Sequence, residues 1–208
     1  MGLWDMYVYA QNLRALEILK RAANWFIRWS EKFDQEQFEK ILNFETGGML
    51  EIWAELYGKT KDERYLALLN KYWRRTVYDP LIQGEDMLTN LHANTTIPEV
   101  IGAARAWEVT GQQRWRDLVE AYWKSAVTTR GFYVTGGQTN GEAWTPPKKL
   151  SSRFGKNNQE HCTVYNMMRL AGILYEWTGD TSYADYWERN LINGLLAQEN
   201  PQSGMVAY

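Results

Sequence analysis

The segment Ala106–Gly111, AWEVTG, followed four residues later by Trp115, is one of three copies of a pattern that determines the fold. In each copy, a threonine has an aromatic residue three positions before it and another five positions after it. The other two copies are centred on Thr60 and Thr178. Amphipathic stretches flank every copy, so the pattern predicts a helix, a short turn and a second helix.

The flanking stretches predict a series of helical hairpins. Incoming helices are predicted at Met49–Leu56, Val100–Trp107 and Met167–Tyr175. Outgoing helices are predicted at Arg64–Val77, Trp115–Ala126 and Tyr183–Leu196. The residues that stand at the starts of these outgoing helices are Asp62, Gln112 and Thr181. Asn12–Trp29 resembles one more outgoing helix, and Leu3–Ala10 resembles the end of the incoming helix before it.

These hairpins define the predicted fold. The repeat of about 50 to 68 residues exceeds that of the common helical solenoids and suits an α/α toroid, in which six hairpins close a ring. We therefore predict an all-α chain of about seven helices that forms one domain, residues 1–208, as part of an (α/α)6 toroid. Because three and a half hairpins cannot close such a ring, we expect an incomplete piece whose open helix faces are covered by partners or by self-association into a homo-oligomer.

The composition argues against several classes of function. The chain has 23 Lys and Arg against 25 Asp and Glu, a net charge of −2, and no basic cluster that would favour nucleic acid or an anionic membrane. The first residues do not show the pattern of a signal peptide, and no apolar run approaches the roughly 18 residues that a membrane span needs. The cytoplasm is therefore the default localisation, although the source compartment stays open. A single cysteine, Cys162, excludes an intrachain disulfide.

Polar residues gather just before each incoming helix. The candidates are Glu45, His92, Asn94, Glu160 and Cys162. Equivalent helix ends lie on the same face of a toroid, so these side chains are expected to converge at one mouth of the ring. The alternative is that they only cap their helices, as polar residues at helix starts often do.

A long loop at residues 131–159 interrupts the repeat. Its glycines and prolines argue against a helix, and loops of this length in compact domains are usually functional or disordered. Glu142 lies in this loop close to Trp144, and a carboxylic acid held against an aromatic ring can stay protonated and act as a general acid. After the loop, Glu160 and Cys162 have side chains that zinc accepts, although two ligands make only half a site.

Several stretches together resemble a known family. They are Glu45–Met49, Leu91–Thr95, Thr135–Gly137, Gly141–Trp144, Glu160–Met167 and Tyr183–Arg189. In this order they are similar to the β-L-arabinofuranosidase family of glycoside hydrolases, family 127 and its relatives. The resemblance implies an (α/α)-barrel domain that cleaves terminal β-linked L-arabinofuranose with retention, using a zinc-bound cysteine thiolate as nucleophile and a glutamate as acid/base.

The resemblance also implies roles for particular residues. By position, Glu142 matches the acid/base, and Glu160 and Cys162 match two zinc ligands. His92 matches a histidine that contacts the substrate, and the same pocket is assigned three further residues, namely Glu45, Asn94 and Trp144.

The chain departs from the family at the nucleophile. The remaining zinc ligands of the family, the nucleophile among them, are two adjacent cysteines further downstream, whereas Cys162 is the single cysteine of this sequence. We therefore expect zinc and hydrolysis in the full-length family, and weak zinc binding and little or no hydrolysis by this chain alone.

Two other functions stay open at this stage. A different α/α-toroid sugar enzyme, such as an unsaturated glucuronyl hydrolase or an epimerase, would need no zinc. A non-catalytic helical fragment that binds carbohydrate or serves as a scaffold would use the polar residues at the mouth only as caps.

Overall fold

The computed structural model describes residues 1–44, 46–155, 157–158 and 160–206. Within these residues the chain forms ten α-helices. They are α1 (Gly2–Val8), α2 (Leu13–Ser30), α3 (Gln35–Leu42), α4 (Met49–Thr60), α5 (Glu63–Lys71), α6 (Arg75–Ile82), α7 (Ala93–Thr110), α8 (Gln113–Trp123), α9 (His161–Thr178) and α10 (Thr181–Asn190). One short hairpin of two strands, β1 (Thr139–Asn140) and β2 (Ala143–Trp144), lies in the long loop.

The helices form two rows, which confirms the all-α, toroid-like fold. Helices α4, α7 and α9 pack side by side in an inner row. Helices α5, α8 and α10 form an outer row, and each packs against the inner helix that precedes it. The first hairpin repeats this arrangement, because α2 packs against both α1 and α5. Closure into a six-hairpin ring stays a prediction.

The repeated threonine has the same role in each hairpin. The hydroxyls of Thr60, Thr110 and Thr178 donate to the carbonyl oxygen four residues earlier, at 2.7, 2.6 and 2.7 Å, and accept from the backbone N–H two residues later. The residue after each threonine takes a left-handed conformation that ends the helix. The next helix therefore starts in the same direction each time.

The predicted helix starts are nearly correct. Asp62 and Gln112 are the N-terminal caps of α5 and α8, as expected. The cap of α10 is Asp180 and not Thr181, because the Asp180 carboxylate accepts from the N–H of Ser182 at 2.9 Å.

The described residues form ten helices where about seven were predicted, and α3 and α6 are two that the repeat pattern did not indicate. The continuous helix predicted at Arg64–Val77 is wrong, since the chain leaves α5 at Lys71 and begins α6 at Arg75. The carboxylate of Glu39 in α3 accepts from the backbone N–H of Thr76 at 2.7 Å and so caps α6. This cap comes from 37 residues away and is invisible to a local pattern.

Helices α7 and α9 are parallel. Near their starts, the amide of Asn166 donates to Asn94 Oδ1 at 2.7 Å. Near their ends, the indole of Trp177 donates to Glu108 Oε1 at 3.0 Å. Both helices therefore begin at the same end of the inner row.

Helix α4 runs parallel to α7 but starts about two turns further along. Arg105 pairs with Glu55 at 3.1 Å. Gly102 permits the close approach of the two helices, because a Cβ atom at this position would lie 2.6 Å from the backbone nitrogen of Glu51. The starts of the three inner helices thus face the same side of the molecule, which we call the mouth.

A buried polar network ties α6 and α7 to the loop before α4. Arg74 Nη1 lies 2.8 Å from both carboxylate oxygens of Glu99, Tyr78 donates to Glu99 at 2.7 Å, and the hydroxyl of Thr46 donates to the same carboxylate. Arg74 also donates to Asn43 Oδ1 at 2.8 Å. Burial raises the pKa of the Glu99 carboxyl, and the positive charge of Arg74 opposes that rise.

The helices and the exposed side chains relate to two expectations from the sequence, the lack of a membrane span and self-association. None of the helices in the described residues combines the length and the apolar character needed to cross a membrane. At the first hairpin the apolar side chains of Met6, Val8, Tyr9 and Leu13 are exposed. Self-association that would cover them stays a prediction.

Removing the cation of the buried network should destabilise the chain. We expect Arg74→Met to lower the free energy of unfolding at pH 7 by about 3–5 kcal/mol, because the Glu99 carboxylate is left buried without its partner. Denaturant titrations would measure the loss. The adjacent Arg75, an exposed residue at the start of α6, offers a control, and Arg75→Met should change stability by no more than about 0.5 kcal/mol.

The loss of stability in Arg74→Met should depend on pH. Without Arg74, burial keeps the folded-state pKa of Glu99 above its unfolded value of about 4.3, so the destabilisation is full above the folded pKa and declines as the pH falls towards the unfolded pKa. The loss should therefore be smaller at pH 5 than at pH 7. An equal loss at both pH values would assign it to packing and contradict the electrostatic account.

Candidate active site

The long loop carries its candidate acid on a tight hairpin. Asn140 pairs with Ala143, so Gly141 and Glu142 form a two-residue turn. Their φ angles are +55° and +68°, as in the mirror-image turns that join twisted strands. Glu142 therefore projects from the tip of the hairpin, in a conformation that few residues with a side chain adopt.

The hairpin is fixed to the segment that leads into α7. The N–H of Asn90 donates to the carbonyl of Trp144 at 2.9 Å, and the N–H of Trp144 donates to the carbonyl of Leu91 at 3.0 Å. The N–H of Ala93 then donates to the carbonyl of Glu142 at 2.9 Å. This segment acts as a third strand and brings the tip of the hairpin beside the start of α7.

His92 and Glu142 meet at the mouth. His92 Nε2 lies 3.1 Å from Glu142 Oε2, while His92 Nδ1 lies 2.7 Å from the hydroxyl of Thr95. The side chains of His92 and Glu142 are 42% and 61% exposed, so a ligand can reach both. Thr95 orients the imidazole from behind, which fixes the nitrogen that faces Glu142.

Glu160 joins this pair from the start of α9. It is the N-terminal cap of the helix and is 8% exposed, and its Oε2 has no hydrogen-bond partner among the described residues. Burial raises the pKa of the Glu160 carboxyl, the negative charge of Glu142 raises it further, and His92 opposes the rise. Glu142, His92 and Glu160 therefore form one electrostatic cluster, although 67 residues lie between the outermost two in the sequence.

Cys162 lies in the first turn of α9, two residues after Glu160, and is half-buried. The chain is helical from His161 onwards. The described residues contain no group of three or more His, Cys, Asp or Glu side chains that could hold a metal ion. Glu160 and Cys162 are thus two donors at one helix start, and by themselves they do not fit a four-ligand zinc site.

The remaining predicted residues have different surroundings. The carbonyl oxygen of the Asn94 side chain accepts from Asn166, which joins α7 to α9. Trp144 is only 1% exposed, and its indole donates to Thr96 Oγ1 at 3.1 Å. Trp144 therefore supports the hairpin from the core and does not present its ring to the mouth, while Glu45 lies outside the described residues.

Arg130 is a functional candidate that the sequence analysis missed. Its fully buried side chain donates to the carbonyl of Thr145 at 2.8 Å and to Thr89 Oγ1 at 2.9 Å, and it pairs with Asp86. Thr145 follows the hairpin, and Thr89 precedes the segment that carries His92. Arg130 therefore holds together the two segments that position His92 and Glu142, and a lone arginine near a predicted helix end gave no signal of this role.

The left-handed conformation of Glu142 predicts that a different residue at this position would make the chain more stable. A left-handed conformation costs about 1–2 kcal/mol for an ordinary residue, and asparagine tolerates it better. We expect Glu142→Asn to raise the free energy of unfolding by up to about 1 kcal/mol in denaturant titrations. Glu142→Gln keeps the unfavourable φ and should leave stability within about 0.5 kcal/mol. Equal destabilisation by both variants would show that the carboxylate itself stabilises the turn.

Comparisons with known proteins identify the family. A model of the β-L-arabinofuranosidase GH127 catalytic domain matches residues 1–208. Among solved structures, the chain is similar to the GH127 β-arabinofuranosidase BT3674, with a TM-score of 0.61 and 24% sequence identity, over 76% of this chain and 26% of that one. The chain thus spans about a quarter of that neighbour, and the likeness establishes the fold. A search of curated proteins found no match. Because the family model matches its full sequence, the chain belongs to the GH127 β-L-arabinofuranosidase catalytic-domain family.

Proposed function

We propose that this chain contributes the acid/base side of a glycoside hydrolase active site that acts on terminal β-L-arabinofuranosyl residues. Family membership supports the reaction class. The observation that carries the proposal is the cluster of Glu142, His92 and Glu160 at the start of α7 and α9. An exposed carboxylate beside an oriented imidazole suits proton transfer to a sugar oxygen.

In the proposed reaction, Glu142 protonates the glycosidic oxygen as its bond to the anomeric carbon breaks, and the glycosyl group passes to a nucleophile, the role that the family resemblance gives to a cysteine thiolate. The same carboxylate then accepts a proton from the water that completes hydrolysis, as retaining glycosidases require. His92 donates to or accepts from a sugar hydroxyl, in an orientation fixed by Thr95. Glu160 Oε2, which is buried and has no partner among the described residues, would offer an acceptor beside this pair if a ligand reached it.

The zinc-thiolate half of the mechanism stays a prediction. Glu160 and Cys162 would bind zinc through an oxygen and a sulfur, and the metal would hold a thiolate in place when bound. The described residues supply no third donor. We therefore assign no catalytic step of this chain to a metal.

Zinc content provides the first test. Elemental analysis of the purified 208-residue chain should find well under one zinc per chain, because two ligands bind the metal weakly. Stoichiometric zinc that is lost in both Glu160→Gln and Cys162→Ser would contradict this expectation. It would also show that donors outside the described residues, or from a second chain, complete the site.

Sugar binding tests the proposed pocket directly. NMR titration with methyl β-L-arabinofuranoside should show saturable binding, and His92→Ala should weaken it about tenfold because one hydrogen bond is lost. Glu142→Gln keeps the size of the side chain and should bind nearly as well as the native chain. Glu63→Gln, at the exposed start of α5, serves as the control. The absence of saturable binding in the native chain would overturn the proposal.

Hydrolysis separates catalysis from binding. Any release of L-arabinose by the native chain should fall by a factor of about 10² to 10⁴ in Glu142→Gln, the usual contribution of a general acid or base. Saturable sugar binding without hydrolysis would favour a carbohydrate-binding role for this chain alone. The family match favours arabinofuranosides over the uronides that glucuronyl hydrolases cleave. Hydrolysis of unsaturated uronides but not of arabinofuranosides, in a parallel screen, would contradict that preference.

A further inference from the structure

A groove on the outer side of the helices contains an excess of positive charge. It has a volume of about 520 Å³ and lies between α3, α5, α6 and α8. Its lining residues are Gln35, Ala67, Asn70, Lys71, Arg75 and Arg114. None of these residues belongs to the candidate active site, so the groove has no explanation in the proposed reaction.

The charge of the groove is unusual for this chain. Three of its six lining side chains are cations and none is a carboxylate, although the whole chain has a net charge of −2. The nearest acidic influences come from outside the lining, with Asp79 acting on Arg114, and Glu31 and Asp34 acting on Lys71. Cations that line one groove repel one another, and an anion bound between them would reduce that repulsion.

Arg114 lines the groove, and its neighbours hold its guanidinium group in place. Its guanidinium carbon lies 4.9 Å from the ring centres of both Trp73 and Trp115, and its Nη2 donates to Asn70 Oδ1. Its Nε is buried without a hydrogen-bond partner among the described residues. A stacked guanidinium loses little freedom when it binds an anion.

The other two cations differ in mobility. The ammonium group of Lys71 is anchored by backbone carbonyls, with 2.8 Å to that of Phe33. Arg75 is exposed at the start of α6, and no ion pair is found for it within the described residues. The groove thus combines two cations held in place, Lys71 and Arg114, with an exposed one, Arg75, whose side chain can move towards a bound anion. Burial lowers the pKa of Lys71 and of Arg114, and a bound anion would oppose this effect.

We propose that this groove is an anion-binding site that takes an oxyanion through Arg75 and Arg114, with Lys71 contributing charge. Guanidinium groups present paired N–H donors that match the two oxygens of a carboxylate or a phosphate. The same chemistry could come from the carboxylate of an acidic sugar or from inorganic phosphate. The inference does not depend on the proposed glycosidase function, because the two sites share no residue.

Calorimetric titration at constant ionic strength tests the site, with inorganic phosphate in one arm and D-galacturonate in the other. We expect saturable binding in at least one arm, and the arm that binds identifies the source of the oxyanion. Arg75→Gln should raise the dissociation constant at least tenfold, and Arg114→Gln should do the same. Arg75 is exposed, so its variant decides the question even where Arg114→Gln fails to fold.

Arg28→Gln provides the matched control, because it removes one exposed cation on α2 outside the groove. It should leave the dissociation constant unchanged, as should Glu142→Gln at the mouth. Binding in neither arm would overturn the proposal. Equal weakening by Arg75→Gln and Arg28→Gln would also overturn it, since that result would reflect the overall charge of the chain and not a site.

Discussion

The parallel packing of α4, α7 and α9 is the constraint on which the candidate site depends. Close approach at Gly102 and polar contacts at both ends of α7 and α9 keep the three helices in one direction. Their starts therefore share one face, where His92 and Glu160 influence each other electrostatically although 67 residues lie between them. After each threonine turn, an outer helix returns the chain to this face. The short threonine pattern therefore gives each inner helix the same direction.

Buried arginines connect this frame to its loops. Arg74 joins Glu99 of α7 to Asn43 in the loop before α4, and Arg130 joins Asp86 to the carbonyl of Thr145 after the hairpin. A buried ion pair adds little net stability, because desolvation offsets much of the attraction. A mispaired alternative, however, would leave a charge buried without a partner. We therefore attribute to these pairs the selection of one loop arrangement, more than a gain in stability.

The sequence predicted those parts of the structure that depend on local chemistry. Thr60, Thr110 and Thr178 located the hairpin turns because each acts within six residues of the chain. The sequence did not reveal the cap that Glu39 places on α6, nor the contacts of Arg130, because both arise only after distant segments pack. Trp144 was expected at the sugar pocket, but strand alternation turns its ring into the core while the hairpin tip carries Glu142 to the solvent.

The two carboxylates of the cluster are positioned in opposite ways, and this difference suits different roles. Glu160 is buried at a helix start, where its surroundings are fixed by the packing of α9. Glu142 is exposed on a two-residue turn in a conformation that is unfavourable for its residue type, yet three backbone hydrogen bonds hold the hairpin to the chain before α7. Backbone strain persists where the surrounding structure fixes it and is concentrated at functional sites. A solvated glutamate would occur more easily on an unstrained loop, so the strained tip beside His92 is best explained by a requirement for that carboxylate at that point in space.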